Sequence, residues 1–102
     1  MTLALEPRHL DQVRAILRRC LPGRAVVAFG SRVNGAAGAH SDLDLAVLGE
    51  PPLSLPALAA IQEEFSESDL PFKVDVVDLA AASEDFRKRV LDQCVVVQEA
   101  EG

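Results

Sequence analysis

Tryptophan and tyrosine are missing from this chain, and four phenylalanines are its only aromatics. Stacking platforms for bases are therefore in short supply, which argues against nucleic-acid binding. Positive charge is in deficit too: ten Lys and Arg face sixteen Asp and Glu, for a net charge of −6. Phosphate backbones are gripped by clustered cations, so no direct nucleic-acid partner is expected. Cysteine is confined to Cys20 and Cys94, outside any C-x-x-C spacing. Both read as small buried hydrophobes in a reducing, cytoplasmic setting. No signal peptide leads the chain, and no apolar run approaches the roughly 20 residues of a bilayer span, so no membrane role is expected. The phosphate-binding signatures G-x-G-x-x-G and G-K-[ST] are missing as well.

What is present is enough for one core. A chain of 102 residues with 49% hydrophobic side chains predicts a single domain over 1–102, filled by Leu, Val, Ala and Ile. Residues 8–21 place Leu10, Val13, Leu17 and Cys20 or Leu21 at helical spacing, and Pro22-Gly23 end the run. Short Val- and Ala-rich segments at 24–30 and 41–49 predict strands. Pro51 and Pro52 break the chain, and Ser54 is placed to cap a helix over 55–66. A third strand at 72–79, a helix over 84–93 capped by Ser83 and a short last strand at 94–98 complete the pattern. Helices alternating with short strands predict a small α/β (α+β) fold, a mixed sheet flanked by helices.

Two acids interrupt the second strand. Side chains alternate along a strand, so Asp42 and Asp44 share one face while Leu43 and Leu45 take the other. Like charges so close repel unless a cation lies between them, and hard divalent ions favour oxygen ligands of this kind. Upstream, Gly30 ends a buried strand where backbone can approach a ligand, and Ser31 adds a hydroxyl at the start of a turn suited to phosphate. A third acid, Asp75, lies inside the apolar run "KVDVVDL", where burial without a partner or metal is expensive. Asp78, three residues on, points to the opposite face and reads as a solvated or capping acid.

Gly30-Ser31-Arg32-Val33-Asn34-Gly35, six further residues, Asp42-Leu43-Asp44-Leu45, and the later Val74-Asp75-Val76-Val77 together resemble the pattern of minimal nucleotidyltransferases of the DNA polymerase β-like superfamily. The likeness spans about residues 10–98. Within that group the chain is similar to the MNT-domain antitoxins encoded beside helical HEPN toxins. The resemblance implies a polymerase β-like fold, ATP as nucleotide donor and two Mg²⁺ ions held by Asp42, Asp44 and Asp75, which are also the catalytic residues. It further implies that Gly30 and Ser31 cradle the β- and γ-phosphates with help from Arg32, and that Asp75 accepts the proton of the acceptor hydroxyl. Many relatives carry Arg where this chain has Asn34, so one basic residue of the loop is absent.

The implied reaction is AMP transfer to a hydroxyl, with a tyrosine of a cognate HEPN ribonuclease toxin as the first candidate. Two alternatives stand beside it: neutralisation of the toxin by binding alone, and nucleotidyl transfer to a small-molecule hydroxyl. His9, at a helix start, and His40, in the loop before the acids, read as surface residues. Arg18-Arg19 and the run Arg87-Lys88-Arg89 read as solvated helix faces.

Overall fold

Proline opens the first helix, α1 (Pro7–Cys20), where its missing N–H is one that a first turn leaves unbonded anyway. Val13, Ile16 and Leu17 form the buried stripe of α1. A computed structural model describes residues 2–101. Strand β1 (Val26–Phe29) runs into a one-turn helix, α2 (Ser31–Asn34), and a loop leads from there to β2 (Leu43–Val47). Helix α3 (Leu55–Ser66) starts where the Ala57 N–H donates to Ser54 Oγ at 3.2 Å. Strand β3 (Val74–Asp78) ends in a 3₁₀ turn (Leu79–Ala81) that has no counterpart in the predicted pattern. The Phe86 N–H donates to Ser83 Oγ at 3.2 Å to start α4 (Glu84–Asp92), and β4 (Val95–Gln98) closes the order. Both expected serine caps are therefore realised.

The four strands form one mixed sheet in the order β3-β2-β1-β4. β1 pairs antiparallel with β2 and β4, while β2 and β3 run parallel. Parallel neighbours need a crossover, and α3 supplies it. One sheet face carries Val26, Ala28, Leu43, Leu45, Val47, Val74 and Val76 against α1 and α3, forming the main core. On the other face Val27 and Ala46 pack with Leu79 and Val90 of α4 in a smaller cluster. Cys20 and Cys94 are half-buried at the margins of these two clusters. The small mixed sheet flanked by helices is the fold class expected from the sequence.

Two polar side chains fasten the sheet to its connections. Arg24 donates from its guanidinium to the carbonyls of Leu48, Gly49 and Pro51, each at 3.0 Å, fixing the turn out of β2. Gln62 of α3 bonds to the β3 backbone at Val74 and Val76.

Candidate active site

Gly30 sits between β1 and α2 with φ 81° and ψ −153°, a backbone region that a side chain all but forbids. A β carbon added there would lie 2.5 Å from Asp44 Oδ2. Phe29, the residue before it, is the register partner of Asp44. Glycine is therefore required twice over at this position, once by its backbone and once because the Asp44 carboxylate rests on it. The carbonyl of Gly30 accepts from the N–H groups of Val33 and Asn34, which sets the short helix on the end of β1. Ser31, its first residue, is half-buried.

Strand alternation places Asp44 on the face opposite the main core, while Leu43 and Leu45 are 0% exposed; Asp42 lies one residue before β2, near enough for its charge to reach Asp44. Asp75 is the register partner of Asp44 across the parallel β2–β3 pair, so its carboxylate lies on that same face. Burial raises the Asp44 carboxyl above its usual range, and the nearby charges of Asp75 and then Asp42 push it further up. Asp42 is exposed, and Asp75 Oδ1 lies 3.4 Å from the Lys73 ammonium, a solvent-screened pair. Among the described residues, no three His, Cys, Asp or Glu side chains close into a metal-holding cluster. Register sets Asp75 beside Asp44 across the strand pair, and Lys73 pairs with Asp75. Asp44, with Asp75 across the strand pair and Asp42 just before β2, offers hard oxygen donors of the kind that divalent cations take.

Asp78 takes the other role expected of it. It is 9% exposed on the main-core face, where Oδ2 accepts from the Leu53 N–H at 2.7 Å and Oδ1 from the Ala80 N–H at 3.1 Å. It fixes the entrance to α3 and the 3₁₀ turn.

Arg32, expected to help with the phosphates, has its guanidinium taken up by backbone carbonyls. Only 6% exposed, it donates from Nε to Ser41 O at 3.0 Å, from Nη1 to Ala4 O at 2.8 Å and from Nη2 to Ala39 O at 3.3 Å. Its guanidinium also lies 4.3 Å from the centre of the Phe72 ring. The loop from α2 to Asp42 carries carbonyls with no strand ladder to receive them, and the buried cation takes that place. Asn34 shapes the same loop, with Oδ1 accepting from the Ala36 N–H at 3.0 Å. A pocket of about 420 Å³ flanks the loop, lined by Glu6, His9, Arg32 and Phe72 and by none of the three acids. His9 packs edge-on against Phe72, 5.6 Å between ring centres, and His40 is exposed. Lys73 was not singled out by the sequence reading, although the alternation that places Asp75 also places Lys73 beside it.

Residues 11–101 match the polymerase β nucleotidyltransferase family, and the chain belongs to it. It is a nucleotidyltransferase. Over 99 residues it is 48% identical to the Haemophilus influenzae protein named "Probable protein adenylyltransferase MntA", covering 97% of this chain and 87% of that protein. A crystal structure of a toxin–antitoxin with AMP-PNP superposes with a TM-score of 0.76 at 27% identity, over 90% of this chain and 74% of the matched one. The fold is shared with a Shewanella oneidensis complex of a tri-AMPylated HEPN toxin and an MNT antitoxin, with a TM-score of 0.72 at 24% identity, over 94% of this chain and 74% of the matched one.

Proposed function

We propose that this chain is a cytoplasmic antitoxin that transfers AMP from ATP, with Mg²⁺, to a tyrosine hydroxyl of a cognate HEPN ribonuclease toxin. The observation that carries the reading is the register of Asp44 with Asp75, with Gly30 pressed under the Asp44 carboxylate. Support comes also from the adenylyltransferase name of the 48%-identical relative and from the toxin–antitoxin with AMP-PNP. Asp42, Asp44 and Asp75 would hold Mg²⁺, which when bound neutralises phosphate charge and acidifies the attacking hydroxyl. Gly30, bare of a side chain, lets the phosphates approach the backbone, and the Ser31 hydroxyl donates to them. The acceptor oxygen bonds to the α-phosphorus and the bond from that phosphorus to the β-phosphate oxygen breaks. Pyrophosphate leaves, and Asp75 takes the hydroxyl proton.

Incubating the purified chain with its toxin, Mg²⁺ and ATP labelled in the α-phosphate tests the reading. Label should appear on a toxin tyrosine as ribonuclease activity falls, and Asp42→Asn with Asp44→Asn should abolish both. Inhibition that persists without label means neutralisation by binding, and label passing only to a small hydroxyl compound means the small-molecule reading.

A further inference from the structure

Among the described residues, sheet order leaves β3 at an edge, with β2 on one side and no strand on the other. Lys73 O accepts from the Leu43 N–H of β2 at 2.9 Å, so by alternation the backbone groups of Asp75 also face β2. Those of Val74 and Val76 face outward, where a further strand would bond. Gln62 takes the place of that strand. Its Nε2 donates to Val74 O, and the Val76 N–H donates to its Oε1 at 3.0 Å. The two bonds run in opposite senses and bracket Asp75, so an amide satisfies both where a carboxylate or an ammonium satisfies one.

The clamp rests on a fixed support. Ile61 at 0% and Phe65 at 4% exposure lock α3 into the main core on either side of Gln62. Asp75, by contrast, is the second residue of its strand and has a competing partner in Lys73, whose side chain is 69% exposed. A loosened edge would let the start of β3 follow that ammonium away from Asp44.

We infer that Gln62 is a positioning residue for Asp75, holding the β3 backbone on both sides of it so that the three acids present one cation site. This rests on the proposed reading that those acids bind Mg²⁺. The structure also supplies a control. Gln98 makes a comparable clamp remote from the acids, with Nε2 donating to Leu21 O at 2.8 Å and to Arg24 O at 2.9 Å.

The test is Mn²⁺ binding to the isolated chain, followed by electron paramagnetic resonance, with Tm measured alongside and kcat and KM measured in the AMP-transfer assay. Gln62→Leu should weaken Mn²⁺ binding by about 10- to 100-fold, the usual cost of losing a group that supports metal ligands, and lower kcat with little change in KM for the toxin. Gln62→Glu, which keeps the bond from Val76, stands in if the leucine variant fails to fold, and should show a loss in the same direction. Gln98→Leu should lower Tm while leaving Mn²⁺ affinity at the wild-type level. Gln62 variants that lose Tm but bind Mn²⁺ like wild type overturn the inference and leave the metal reading standing. An equal loss of affinity in Gln98→Leu also overturns it. Wild-type protein whose Mn²⁺ binding is absent, or is untouched by Asp44→Asn, overturns the reading and the inference together.

Discussion

Asp44 carries the tension of the site in a single side chain. It lies against Gly30, is half-buried, and feels Asp75 and Asp42, so its carboxyl holds a proton more tightly in the folded protein than in the unfolded chain. Stability from such a group is complete at acid pH, below its unfolded value, and is lost as pH rises through the raised folded value. Asparagine, neutral throughout, escapes that loss. In EDTA, Asp44→Asn should therefore melt at a higher temperature than wild type at neutral pH, with the gain vanishing below the usual carboxylate range. Calorimetry at the two pH values checks the sign. The same variant should lose AMP transfer by more than the roughly 100-fold that removal of a supporting group costs, because it removes a proposed ligand itself. That Asp44 turns away from Leu43 and Leu45 was legible in the sequence, since alternation is set by the strand backbone alone. The burial that does most to raise the Asp44 carboxyl was not legible, nor the charge of Asp75 brought beside it from another strand.

At the scale of elements, α2 and the loop that follows it depend on Arg32. Its planar fork reaches three carbonyls, of which Ala4 lies in the segment before α1. Lysine offers a single point charge, so Arg32→Lys should destabilise the protein by roughly 1.5–3 kcal/mol, on the scale of one lost hydrogen bond to a charged group. Urea unfolding without nucleotide measures it. A variant of unchanged stability but raised KM for ATP would point instead to phosphate contact. Sequence reading gave Arg32 a place near the phosphates because it follows Gly30-Ser31, and adjacency along the chain is what a motif records. The direction of the side chain is set by carbonyls that come together only on folding. Helix starts were easier to read: Ser54 and Ser83 bond to N–H groups three residues ahead, within reach of a local pattern.

Taken whole, the molecule sets its larger core on one face of the sheet, and Asp44 on the other face beside the smaller cluster. Leu45, at 0% exposure, faces α1 and α3, while its neighbour Asp44 faces the other way. Leu45→Ala should cost about 2–5 kcal/mol of stability, as deletions in packed cores do. Thermal melting measures that loss, and the Mn²⁺ affinity of the folded fraction should match wild type. By itself the sequence determined the element pattern, the face that Asp44 takes away from Leu43 and Leu45, and the glycine at the end of β1. Each is settled by backbone geometry within a few residues. Only the tertiary structure decided that β3 lies parallel beside β2, so that Asp75 meets Asp44, and that Gln62 closes the far edge of β3. That register comes from burying α3 against the sheet with α1, a non-local balance of packing that no short stretch of residues specifies.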